Sequence, residues 1–157
     1  LDQTGKISLI HNGIIENYNS IKKVLIDKGY EFQSETDSEV LVQFISDIYF
    51  SDDLSFEQAV QVALTQVIGA YGIVTFCSEE PDTLVAARHG SPMVLGLGED
   101  DYFIASDASP IVDYTRNVVY LDEDEIVTIK NGSHEIRSMK NDKVLQKVVT
   151  EINFSID

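Results

Sequence analysis

The hydrophobic period of this chain switches once, at Gly69, and that switch narrows the folds open to it. Before Gly69 three segments carry apolar residues three and four positions apart: Tyr18, Ile21 and Leu25; Leu41, Phe44, Ile45 and Ile48; Phe56, Val60, Ala63, Leu64 and Val67. Such spacing predicts three amphipathic helices. Asn17 is the expected N-cap of the first, with Gly29 as its stop, and Thr36–Glu39 and Ser55–Gln58 are expected capping boxes for the others. One strand, ending near Ile10, precedes the helices, and Tyr30–Gln33 reads as a short extra strand.

After Gly69 the pattern alternates and β-branched residues dominate. Tyr71–Phe76, Thr83–Arg88, Met93–Leu97 and Tyr102–Ala105 are predicted strands of an antiparallel meander, followed by a helical turn at Asp107–Val112. Val118–Leu121, Glu125–Ile129 and His134–Arg137 are three more strands. The last two are joined through Asn131-Gly132, a strong hairpin signal. Lys140–Asp157 has no clean period. Helices segregated from a run of strands predict an α+β fold.

At 157 residues the chain has the size of one domain, read here as spanning 1–157. Its 27 acidic against 11 basic residues give a net charge of −16, which repels phosphates and anionic lipid heads, so neither nucleic acid nor membrane is an expected partner. The single cysteine, Cys77, rules out an internal disulfide framework. With no apolar run of about 20 residues, the expected setting is cytoplasmic. Leu1 is not a methionine, and Leu1–Lys6 reads as a hairpin tip feeding the first strand. The expectation is therefore a piece of a longer chain.

Few residues stand out chemically. His11, His89 and His134 lack zinc-motif spacing, so no metal is expected. Cys77 lies in an alternating strand and reads as an inert buried thiol, while Ser91 and Gly96–Gly98 read as turn chemistry. Asn12-Gly13 is a strong turn dipeptide, here expected to join a strand to a helix. At such a junction an Asn amide and a Gly N–H can converge on one oxyanion, although the same pair also serves as a bare chain reversal. Asp37 follows the Thr36 cap, where a carboxylate either answers the helix dipole or holds a ligand ammonium.

Five blocks tip these readings: His11–Asn17, Ser34–Glu39, Gly69–Gly72, Ala87–Pro92 and Phe103–Asp107. In order and spacing they closely resemble the glutaminase domain of the isomerizing glutamine–fructose-6-phosphate aminotransferases, which are class II glutamine amidotransferases. The resemblance implies an N-terminal nucleophile hydrolase fold, a four-layer αββα sandwich. It implies an amino-terminal cysteine nucleophile with its own α-amine as base, and no cofactor. Asn12 and Gly13 match the oxyanion-hole pair, and Asp37 matches the holder of the glutamine α-ammonium. Glutamine is then a substrate, and the ammonia passes to fructose 6-phosphate on an isomerase domain, giving glucosamine 6-phosphate and glutamate.

The chain departs from that family in starting after the nucleophilic cysteine and after the Arg-Trp-x-Thr-His segment that grips the glutamine carboxylate. The sandwich is thus expected to be truncated at its N-terminus, with apolar surface left uncovered and self-association into a homo-oligomer through it. The fragment alone is expected to be inactive. Two alternatives stay open: an amidotransferase with another acceptor, such as a phosphoribosyl amidotransferase, and a non-catalytic binding or assembly module on the same fold.

Overall fold

The computed structural model describes residues 1–152. Among them β1 (Ile7–Ile15) leads to α1 (Tyr18–Asp27), α2 (Asp37–Ser51) and α3 (Phe56–Thr65). Nine strands follow: β2 (Gly69–Cys77), β3 (Thr83–His89), β4 (Val94–Leu97), β5 (Tyr102–Ala105), β6 (Asn117–Tyr120), β7 (Glu125–Lys130), β8 (Ser133–Ser138), β9 (Val144–Leu145) and β10 (Thr150–Glu151). One sheet runs β1-β2-β3-β7-β8-β9 and the other β10-β6-β4-β5. Every pairing between these strands is antiparallel. This is the predicted α+β class.

The first sheet has two packed faces. On one, Ile7, Ile15, Ile73, Val85, Ala87 and Ile126 meet Leu41, Ile45, Phe56, Val60 and Ala63 of α2 and α3. Phe56 is fully buried there, and truncating it to alanine costs about 3–5 kcal/mol. On the other, Ala86 and Val127 meet Leu95 and Val119 of the second sheet. The outer face of the second sheet is covered by the turn segment carrying Ala108 and Ile111, with Ala108 accepting from the Ile111 and Val112 N–H groups. The predicted helical turn is there. Beyond the second sheet's reach, Ile10, Ile14 and Phe76 stand exposed, an uncovered apolar strip at the β1 end of the sandwich.

Local chemistry sets most boundaries. Ser55 and Gln58 form a reciprocal capping box on α3. On α2 only half of the expected box forms: Thr36 Oγ1 accepts the Glu39 N–H at 3.3 Å, but the Glu39 carboxylate turns to the N–H groups of Gln33 and Ser34. That contact holds Gln33 in a bend, so the strand predicted at Tyr30–Gln33 is absent. α1 ends in a Schellman motif, with Gly29 N–H on the Ile26 carbonyl and Tyr30 N–H on the Leu25 carbonyl, and Gly29 at φ 98°. Asn131 and Gly132, at φ 51° and 77°, make the expected hairpin between β7 and β8.

Three further expectations give way. Asn12-Gly13 is not a turn: β1 continues through both residues to Ile15, paired residue for residue with β2. The chain reverses instead at Glu16-Asn17. Asn17 precedes α1 without capping it, because its side chain is engaged elsewhere; Oδ1 accepts from Ile68 N–H at 2.9 Å and Nδ2 donates to the Gln66 carbonyl at 2.8 Å. The four strands after Gly69 do not form a meander either. β2–β3 and β4–β5 are hairpins in different sheets, and β3 takes β7 as its second neighbour.

Candidate active site

β1 is an edge strand, and antiparallel pairing turns the backbone groups of alternate residues to opposite sides. The Lys6 carbonyl accepts from Ser78 N–H and Glu16 N–H donates to the Ile68 carbonyl, so even-numbered residues face β2. Ile7, Leu9, His11, Gly13 and Ile15 therefore face the free edge. Two carboxylates close its ends. Asp2 Oδ1 accepts the Ile7 N–H at 3.0 Å, and Asp37 Oδ2 accepts the Ile15 N–H at 2.8 Å. Between them the N–H groups of Leu9, His11 and Gly13 face away from β2, and no side chain among the described residues accepts from them.

Gly13 adopts φ 108°, and an added Cβ would lie 2.2 Å from the Ala70 carbonyl oxygen. No other residue fits this backbone without strain. Its N–H is thus a rigid, unpaired donor held by the β1–β2 ladder. The Asn12 side chain projects to the opposite face from His11, is exposed, and has no hydrogen-bond partner among the described residues.

Asp37 opens α2 directly after the Thr36 cap. One oxygen is occupied by Ile15 N–H; Oδ1 makes no hydrogen bond, its nearest basic neighbour being His11 Nδ1 at 3.9 Å. Its place in the first turn lets it answer the helix dipole while Oδ1 stays open, so the structural reading does not exclude the ligand one. Ile15, which fixes Asp37, lies two residues beyond Gly13 on the same edge, roughly 7 Å along the strand. That is on the order of the reach of an extended glutamine.

His11 was given no role by sequence, yet it joins this site. Directly opposite the core residue Ile73, its side chain turns toward the helices and is 1% exposed. Nδ1 lies 3.0 Å from Ser38 Oγ. Nε2 is buried with no partner. Burial pushes the imidazole below its ordinary pKa, with the Asp37 charge opposing that shift. The available signal was the strand alternation, which puts His11 on the face of Leu9 and Ile15.

The one cysteine is remote. Cys77 pairs with Ile7 while Tyr71 pairs with Gly13, a separation of about 20 Å along the ladder. Cys77 is fully buried, and burial pushes its thiol up, away from reactivity. His89 does come together with Glu123 and Asp124, through Nδ1 contacts of 3.3 and 2.7 Å. Those carboxylates already have protein partners: Arg88 and Gly90 N–H on Glu123, Lys140 on Asp124.

Residues 1–113 match the family described as "Glutamine amidotransferase domain". The glutamine–fructose-6-phosphate aminotransferase [isomerizing] of Chlorobaculum tepidum is 49% identical over 158 residues, covering 100% of this chain and 26% of that protein. The enzyme of the same name from Bacteroides thetaiotaomicron is 53% identical over 127 residues, covering 81% of this chain and 21% of the relative. The chain thus spans about a quarter of the length of these relatives. Among solved structures, the glutamine phosphoribosylpyrophosphate amidotransferase from B. subtilis superposes with a TM-score of 0.74 at 22% identity, over 88% of this chain and 30% of that one. It shares the fold. With the family match spanning most of the sequence, the chain belongs to the glutamine amidotransferase domain family.

Proposed function

We propose that this chain forms the oxyanion and ammonium-holding side of a glutaminase site in an isomerizing glutamine–fructose-6-phosphate aminotransferase. The observation that carries the reading is the open edge of β1, where the Gly13 N–H faces outward two residues from the Ile15 N–H that Asp37 Oδ2 holds, leaving Asp37 Oδ1 unpaired. Attack of a thiolate on the glutamine side-chain carbonyl places negative charge on its oxygen. Gly13 N–H and the Asn12 amide are the donors for that charge, which develops in the transition state and so lowers the barrier. Asp37 holds the α-ammonium and fixes the substrate along the edge. Collapse of the tetrahedral intermediate expels ammonia and leaves a thioester, which water hydrolyses to glutamate.

The thiolate is not supplied by Cys77, which is buried and remote. In the proposed reading it comes from an amino-terminal cysteine outside residues 1–157. The ammonia acceptor is fructose 6-phosphate, a proposal supported by relatives of 49% and 53% identity that carry that name. A cytoplasmic setting accompanies the proposal; no helix among the described residues is long and apolar enough to cross a membrane.

The test uses the full-length protein carrying this sequence, incubated with glutamine and fructose 6-phosphate. Equimolar glutamate and glucosamine 6-phosphate are the expected products. Glutamate formed with no transfer to fructose 6-phosphate would leave the glutaminase reading and overturn the acceptor. No glutamate at all would overturn both.

A further inference from the structure

Asp37 can hold an ammonium only if its carboxylate is aimed and left unclaimed, and the structure ties both conditions to His11. The imidazole sits beneath the first turn of α2, with Nδ1 3.0 Å from Ser38 Oγ and 3.9 Å from Asp37 Oδ1. Its side chain is 1% exposed and its Nε2 has no partner. A polar ring so thoroughly buried, with half its hydrogen-bonding capacity unused, costs stability where an apolar residue would fill the same space. The arrangement asks for a reason other than packing.

We propose that His11 is a positioning residue for the glutaminase site: through Ser38 it fixes the first turn of α2 so that Asp37 Oδ1 stays directed at the substrate ammonium. The inference rests on the proposed role of Asp37. His11 touches neither substrate nor reacting atoms; it acts through Ser38 and Asp37.

A neutral ring is part of this role. Around His11, α2 presents Asp37 and the neutral Ser38, and β2 presents the apolar Ile73. Asp37 is the charged group whose field reaches the ring. A protonated imidazole would place a cation 3.9 Å from the oxygen that receives the substrate's own cation, and the two would compete. Burial opposes that protonation, keeping Oδ1 free at neutral pH. Glutamine affinity should then weaken as acid charges the ring, with little change in turnover at saturation.

The experiment measures glutaminase kinetics of the full-length protein for glutamine and for glutaramic acid, the same amide without the α-ammonium. Four forms are compared: wild type, His11→Asn, His11→Phe and Ser38→Ala. Asn keeps a hydrogen-bonding atom near the Nδ1 position; Phe keeps the ring and removes the bond. Ser38→Ala leaves the buried ring intact, so a folding defect in His11→Phe does not end the test. The expected result is a three- to tenfold rise in KM for glutamine in His11→Phe and Ser38→Ala, the size of one lost hydrogen bond. Turnover at saturation stays within twofold, His11→Asn restores most of the affinity, and glutaramic acid kinetics barely move.

Loss of the acid-side rise in KM in His11→Phe completes the expected pattern. Equal losses for both substrates, or a fall in kcat with KM unchanged, would overturn the positioning role. If wild-type protein does not prefer glutamine to glutaramic acid, the reading of Asp37 itself fails, and that failure is visible without any variant.

Discussion

Gly13 has the Ala70 carbonyl oxygen where its side chain would be: an added Cβ would lie 2.2 Å away. The contact explains how a residue at φ 108° sits inside a regular ladder, since strand pairing and glycine's freedom are used at one point. Gly13→Ala therefore has to move β2 or leave the ladder. The expected outcome is a loss of about 2–4 kcal/mol in chemical denaturation, from backbone strain and overpacking together, with glutaminase activity abolished.

Asn12 presents the opposite case. Its side chain is exposed and makes no hydrogen bond among the described residues, so Asn12→Ala should leave the denaturation midpoint almost unmoved, within about 0.5 kcal/mol. Steady-state assay of the full-length protein should show kcat for glutamine falling about 10²- to 10³-fold, as expected for an oxyanion donor. A fall of less than fivefold would remove Asn12 from the site.

The Asp2 carboxylate is a structural anchor that sequence reading passed over. It is 5% exposed and accepts from Thr4 and Ser46 hydroxyls and from the N–H groups of Lys6 and Ile7. Burial acts to raise its pKa, but these hydrogen bonds outweigh burial and hold it below the ordinary carboxylate value. Asp2→Asn puts a donor amide among donors and should cost about 2 kcal/mol, read as a lower melting temperature.

Stability should fall in two stages with acid. His11 has a depressed folded pKa, so between that value and about 6.5 the unfolded chain binds the extra proton. Stability is then full above the ordinary histidine range and declines as pH drops below it. Asp2 and Glu39 are also depressed, and their contribution is present above the ordinary carboxylate values and lost as pH falls through the lower folded ones. Denaturation midpoints from pH 8 to 3 should show both stages. His11→Asn should erase the upper one and leave the lower.

Cys77 provides a control on the nucleophile. The polypeptide of residues 1–157 should release no glutamate from glutamine, and in the full-length protein Cys77→Ala should keep wild-type turnover. A thiol reagent should label Cys77 at the rate of global unfolding, since the side chain is fully buried. Rapid labelling in native buffer would contradict the structure.

Much of the fold was legible because it is written in local chemistry. Apolar residues at helical spacing located α1, α2 and α3; Ser55–Gln58 opened α3; Asn131-Gly132 closed the β7–β8 hairpin. Asn12-Gly13 misled because a preference for positive φ serves a turn and a crowded strand equally well. What decides between them is the approach of Ala70, nearly sixty residues later. The same limit applies to the second partner of β3. Alternation shows that a strand has two faces, whereas its neighbour is chosen by packing of the whole sheet. Asp37 and the Asn12–Gly13 pair could be named from a resemblance. That Gly13 shares one edge with the Ile15 N–H held by Asp37, and that His11 lies beneath the first turn of α2, required the pairing of β1 with β2.

The two aspartates at the ends of the β1 edge have an effect on self-assembly as well. An open strand of nine residues is a template for another chain to extend the sheet, but Asp2 and Asp37 have already taken the outward N–H groups of Ile7 and Ile15. An incoming strand finds only the stretch from Leu9 to Gly13, flanked by negative charge at both ends. That is shorter than the six or seven residues from which ordered fibrils grow. The geometry that leaves the Gly13 N–H unpaired also limits the free stretch of this edge to Leu9–Gly13.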